Sequence, residues 1–387
     1  MIRDLIILMV SMFTWGIGEG MFMYFQSIYL QQLGANMVTI GAILGGTGIA
    51  MGIAQIPAGF ITDRIGPRPV LWASWIIGLI AAWTMALANS LPIFIIGLML
   101  YGLTAFVSTP LNTYVSAIRG KWQLGRVLTL VSAGYNLGAA AGPFIGGILA
   151  EQAGLQTVYR TSAIIFILST TMIFTLRAYR PETQNEHLPE NHSVYKNFRF
   201  FVLLGLIFIC VLASILPQPL TQNFLRDERG ISLSNIGTLG TIASLGNSMI
   251  MLIFGGLPTR LGMAAGLTGL TIFSFMIWQG TSFTWYAIGY FFLGGFRLIR
   301  VMAVAYARPL VRAAQTGLAF GMVETTAAAA AVLAPIAAGY IYEIQPVYNY
   351  IIALVLLGFA LLMNFLYRSP QVVKKTVNET INYSQSD

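Results

Sequence analysis

Residues 59–68 read Gly59-Phe-Ile-Thr-Asp63-Arg64-Ile-Gly66-Pro-Arg68, and they stand between two long apolar runs. The aspartate falls at the end of one run. The Gly-Pro pair then supplies a tight turn, because glycine accepts conformations closed to other residues and proline fixes its own φ. A plain basic loop would account for the two arginines but not for the spacing of Asp63 and Gly66. A carboxylate set among arginines at a helix end can pair across the face or interact with a nearby helix N-terminus. Gly59, Asp63, Arg64, Gly66 and Arg68 are therefore read as a candidate conformational gate.

Outward from this loop the chain is apolar in both directions. Of 387 residues, 57% are hydrophobic and only 9% charged. A soluble domain would carry about 25% charged residues, so the surrounding medium must be lipid. A spanning helix needs about 20 apolar residues. Runs of that kind occur at 5–32, 37–61, 69–89, 92–117, 124–151 and 157–178. More follow at 198–225, 233–258, 263–280, 283–307, 314–342 and 347–367. The expectation is an all-α membrane protein of twelve transmembrane helices. The first run is too long for the apolar core of a signal peptide and is read as a retained helix.

Charge placement orients these spans. With the N-terminus inside, sixteen of the 21 Lys and Arg residues fall on the inner side. Only Arg160, Arg226 and Arg229 fall outside, and Arg297 and Arg300 lie within a span. The positive-inside rule thus predicts a multi-pass protein of the cell membrane with both termini cytoplasmic. The net charge of +8 reflects this orientation and anionic headgroups, so no nucleic-acid partner is expected. Cys210, the one cysteine, sits in an apolar run, which excludes a disulfide framework.

One long polar stretch divides the chain: residues 1–178 form a first six-helix bundle, 179–197 a cytoplasmic linker, 198–368 a second bundle and 369–387 a polar cytoplasmic tail. His187 and His192 lie in the linker and are read as solvated, with metal binding or pH sensing as the alternative. The two halves repeat weakly. Offset by 196, Gly34 meets Gly230, Gly41 meets Gly237 and Arg64 meets Arg260. Offset by 192, Pro143 meets Pro335 and Glu151 meets Glu343. A near-constant offset across several elements predicts two pseudo-symmetric bundles, a construction suited to alternating access.

The fifth run carries a second pattern, Gly134-Tyr-Asn-Leu-Gly138-Ala-Ala-Ala-Gly142-Pro143-Phe-Ile-Gly146-Gly147. Glycine at every fourth residue makes one smooth helix face for close packing, and Pro143 permits a bend. Gly138, Gly142, Pro143, Gly146 and Gly147 form the candidate helix-packing motif.

Across essentially its whole length the sequence resembles the major facilitator superfamily. The loop at 59–68 fills every named position of that superfamily's G-x-x-x-D-R-x-G-x-R signature, and Gly255–Gly262 resembles its reduced second copy, with Thr259 in the aspartate's place. Gly138 to Gly147 resembles the G-x-x-x-G-P-x-x-G-G pattern of its exporters and drug/proton antiporters. The resemblance implies an alternating-access transporter. One position departs from it: proton-coupled exporters of the family carry an arginine in helix four, where this chain has Leu98.

Ionisable residues at membrane depth cost at least about 2.5–3.5 kcal/mol and mark function by default. Glu19 lies mid-span and shares a helix face with Gln26. It is a candidate for proton coupling and for contact with cationic or polar substrate, the alternative being a packing role. Glu324, in the eleventh run, is the second proton-coupling candidate. Arg297 and Arg300 are three residues apart on one face of the tenth run. An ion pair with Glu324 that fixes helix register and a site for anionic substrate are both open. Tyr24, Gln26, Asn112, Asn136, Gln218, Gln222 and Asn247 join the two arginines as candidate cavity residues. Pro217-Gln218-Pro219 should bend the seventh helix.

The leading expectation is a monomeric, proton-coupled exporter of small amphipathic or drug-like molecules. A metabolite uniporter or importer, for a sugar or an organic anion, is the alternative, and a non-transporting sensor or scaffold the reading from another class. Enzymatic activity is not expected: no nucleophile–base pair, phosphate loop or metal cluster is visible. No cofactor is called for.

Overall fold

The computed structural model describes residues 2–178, 198–310 and 316–367. The expected linker at 179–197, with its two histidines, and the tail at 369–387 lie outside the described residues. Within them the twelve apolar runs form helices in the expected places. Five of the spans are single helices in each of which the chain crosses without a break: Met37–Ile65 (span 2), Pro67–Ala86 (span 3), Leu124–Ala153 (span 5), Leu155–Phe174 (span 6) and Leu233–Phe254 (span 8). Thr259–Gln279 (span 9), Thr316–Ile344 (span 11) and Tyr348–Leu366 (span 12) behave likewise. Eleven spans are long and apolar enough to cross a membrane by composition alone. The exception is span 5, whose glycines pack on spans 1 and 8.

The remaining four spans are broken, and they are paired by the repeat. Span 1 runs as Ile2–Met23 and Gln26–Gln32, and span 7 as Phe198–Ile215 and Thr221–Asp227. Span 4 comprises Leu91–Leu103, a 3₁₀ turn Thr104–Val107 and Ser108–Ile118, and span 10 comprises Phe283–Phe292 and Gly295–Ala307. The break in span 7 falls at Pro217 and Pro219, as prolines dictate. Those in spans 1, 4 and 10 correct the expectation of continuous helices. At the first, Phe25 N–H turns back to Phe22 O at 2.9 Å. At the second, Thr104 Oγ1 donates to Tyr101 O at 2.6 Å. At the third, Gly294 and Gly295 sit hard against Asn247 and Gly266. Local hydrogen bonds and close backbone approach interrupt these helices, and neither alters hydropathy.

Helix pairing obeys the repeat. Span 1 packs on spans 5 and 6 as span 7 packs on spans 11 and 12, and span 3 joins spans 4 and 6 as span 9 joins spans 10 and 12. The halves meet through two equivalent pairs, span 2 with span 11 and span 5 with span 8. The glycine stripe of span 5 explains part of this. A Cβ on Gly134, Gly138, Gly142 or Gly146 would run into the backbone of Met9, Phe13, Ile17 with Gly20, or Met21. The stripe therefore seats span 1, while Gly147 and the Pro143 carbonyl meet Gly237 of span 8.

The two faces of the molecule differ. On the face opposite Arg64, Arg119 and Arg260 the halves touch: Gly41 and Gly45 press on the backbone of Pro335 and Val332, and Gly339 on that of Met37 and Val38. Gln31 Nε2 donates to Asp227 Oδ2 at 2.8 Å, and Asn223 Nδ2 to Gln31 Oε1 at 2.7 Å. Toward the basic face the same spans diverge, and nothing comes within 4 Å of a Cβ placed on Gly52, Gly125 or Gly321. Among the described residues the structure is closed at one face and open at the other.

Candidate transport cavity

Between the halves lies a cavity in two lobes that share Met23 and Gln26 as lining residues. The first lobe, about 300 Å³, belongs to the N-terminal half. Glu19 lines it from span 1, together with Trp15, Trp75, Tyr101 and Tyr135. These side chains are held in place from behind. Trp15 stacks on Phe166 with ring centroids 4.0 Å apart, and Trp75 Nε1 donates to Ser169 Oγ at 2.9 Å. Tyr135, Tyr101 and Trp15 line the lobe together with the Glu19 carboxyl. Leu98, standing where the resemblance implied an arginine, also lines this lobe. Among the described residues its lining contains no cation.

The second lobe, about 490 Å³, belongs mainly to the C-terminal half. Tyr24, Gln26, Gln218, Gln222, Asn247 and Arg297 all line it. The breaks in spans 1, 7 and 10 bring them together, since Tyr24 sits in the first break, Gln218 in the second and Arg297 just beyond the third. With its amide oriented so that oxygen meets donor and nitrogen meets acceptor, Asn247 accepts from Arg297 Nε at 3.0 Å and donates to Gly294 O at 3.1 Å. That arrangement aims the guanidinium and ties it to the span 10 break. Among the described residues no carboxylate pairs with Arg297.

The other intramembrane charges lie apart from these lobes. Arg300 Nη2 donates to Glu324 Oε2, tying span 10 to span 11. Neither residue lines either lobe, and neither do Asn112 and Asn136. At the loop read as a gate, Gly66 has φ 85°, accepts the turn and caps span 2 through its N–H to Thr62 O at 2.9 Å. Asp63 is exposed, Arg64 lies over the Phe60 ring at 4.1 Å and Arg68 over Trp72 at 4.2 Å. Each arginine thus rests on its own helix on the open face.

Several cavity residues escape the sequence reading. Tyr101, Trp75, Ser244 and Phe273 look like ordinary apolar or small helix residues, and only packing turns them inward. Two others, Glu151 and Glu343, stand out in the sequence only as repeat mates. In the structure Leu233 N–H donates to Glu151 Oε2 at 2.8 Å, and Met37 N–H donates to Glu343 Oε1 at 3.1 Å. Each carboxylate caps a helix of the opposite half at the closed face.

A family model described as Major Facilitator Superfamily matches residues 6–218 and again 202–382. An uncharacterized MFS-type transporter from Methanocaldococcus jannaschii is 24% identical over 295 residues, 74% of this chain and 76% of that protein. Multidrug resistance protein MdtG from Escherichia coli is 27% identical over 291 residues, 71% of each chain. The crystal structure of the nucleoside transporter NupG superposes with a TM-score of 0.75 at 12% identity, covering 94% of this chain and 98% of that one. At that identity the superposition speaks for the fold alone.

Proposed function

The chain belongs to the Major Facilitator Superfamily, and from that premise we propose that it exports amphipathic, drug-like molecules across the cytoplasmic membrane in exchange for protons. It is a multi-pass membrane transporter. The observation that carries the finer reading is Glu19, a lone carboxyl among aromatic rings in a cavity closed at one face and open at the other. A carboxyl in such a site holds either a proton or a cationic group, and rings offer π faces to the same cation. Exchange of one for the other couples the two fluxes. The multidrug-resistance relatives support the substrate class. The asymmetry of basic residues supports a cytoplasmic open face and cytoplasmic termini.

Leu98 removes the family's usual cation from the Glu19 lobe. In this reading the cation that faces the cavity is Arg297, from the other half. Its place in the cavity also favours a second reading, transport of an organic anion.

The test is flux in proteoliposomes with and without an imposed pH gradient, using a lipophilic cationic dye and an aromatic carboxylate as probes. Export predicts dye movement accelerated by a proton gradient of opposite direction. Carboxylate flux alone, indifferent to the gradient, overturns proton-coupled export in favour of anion uniport.

A further inference from the structure

Two opposite charges face one cavity from different halves of the molecule. Glu19 stands in the N-terminal lobe and Arg297 in the C-terminal lobe, with Met23 and Gln26 lining both. Each charge is built in. Glu19 shares its lobe with Tyr135, Tyr101 and Trp15, and Arg297 is held by Asn247 at 3.0 Å. Neither forms an ion pair within the protein among the described residues; the one pair there at this depth joins Arg300 to Glu324. Met23 is four residues beyond Glu19, about 6 Å of helical rise. A molecule that satisfies both charges must therefore reach across that junction.

We infer that the preferred ligand is bipolar: an aromatic compound with a cationic amine for the Glu19 lobe and, at the other end of its ring, an anionic group for Arg297. This rests on the transport reading and narrows its substrate class. The apolar body of the ligand lies against Trp15, Tyr101 and Met23, and its charged ends reach a half-buried Glu19 and an Arg297 that is exposed to the cavity and oriented by Asn247. Preorganised charges of this kind need no rearrangement on binding, so each adds affinity as well as orientation. A singly charged ligand leaves one of the two without a partner. A bipolar ligand also touches both halves, as a substrate must if it is to bias their rocking motion.

The test measures binding to the full purified chain in detergent with three matched probes. They are para-(aminoethyl)benzoic acid, para-(aminoethyl)toluene and para-propylbenzoic acid, in which one charged group at a time is replaced by a methyl. The first is expected to bind about tenfold more tightly than either of the others, one charge-assisted contact being worth about that factor. Arg297→Gln should lower its affinity to that of the amine, and Glu19→Gln to that of the acid. Equal affinity for the bipolar probe and either single-charge probe overturns the inference. So does failure of all three to bind, and gradient-driven dye flux in proteoliposomes then shows that the transport reading survives. Should both variants fail to fold, the ranking of the probes on the unaltered chain decides alone.

Discussion

Glu151 accepts the backbone N–H of Leu233 at 2.8 Å, and its repeat mate Glu343 accepts that of Met37 at 3.1 Å. Spans 5 and 11 thus end in carboxylates that cap spans 8 and 2 of the opposite half. An acid at a helix N-terminus satisfies an orphan donor and meets the positive end of the helix dipole, worth typically about 0.3–1 kcal/mol each. In an alternating-access cycle this face must open, so both bonds must break. Glu151→Ala with Glu343→Ala is expected to shift the conformational equilibrium about tenfold toward opening of this face. Thiol labelling of cysteines placed at Met37 and Leu233 reads it out, and unchanged labelling would count against a latch.

Glu19→Gln keeps the shape of the side chain and removes its proton. Flux of a cationic dye in proteoliposomes should lose its response to an imposed pH gradient, while the chain still folds. Gradient-driven flux retained at the level of the unaltered chain would remove Glu19 from coupling.

The Arg300–Glu324 pair should matter less to stability than its place in the membrane suggests. Its side chains are 31% and 53% exposed, and Glu324 lies one turn from Gly321 where the halves diverge; wetted from that open face, such a pair contributes about 1 kcal/mol or less. Arg300→Gln and Glu324→Gln should each lower the melting temperature only slightly. A double-mutant cycle isolates their coupling. A large loss of flux in either single variant, at unchanged melting temperature, would assign the pair to the transport cycle instead.

Glycines of span 5 and span 8 should fail in different ways. Gly138→Ala drives a methyl into the Phe13 backbone within one bundle, and overpacking of this sort costs about 1–3 kcal/mol. A lower melting temperature is expected. Gly237→Ala meets Pro143 and Gly147 across the halves. It should leave each bundle intact and open the closed face, visible as faster thiol labelling there without loss of melting temperature.

Most of the fold was legible in the chain, because lipid permits so few spanning structures. Hydropathy located all twelve spans, and the offset of about 192–196 residues pointed to two related bundles. The breaks in spans 1, 4 and 10 were not legible, since a backbone bond from Phe25 to Phe22 or a Thr104 hydroxyl on Tyr101 leaves the apolar pattern unchanged. The site was legible only in its charges. Glu19 and Arg297 are conspicuous at membrane depth, whereas Tyr101 and Trp75 look like any aromatic residue of a lipid-facing helix.

Composition, charge placement and the loop at 59–68 were thus sufficient to determine a lipid-embedded, twice-repeated bundle and its basic face. Periodic apolar runs carry that information locally, residue by residue. What only the tertiary structure decided is which charges stand free and which are paired. Arg297 and Arg300 are three residues apart and nearly equivalent on paper. Asn247 and the break at Gly294 turn the first into the cavity, while Glu324 takes the second. The choice depends on contacts between helices far apart in sequence, and such contacts leave no local pattern to read.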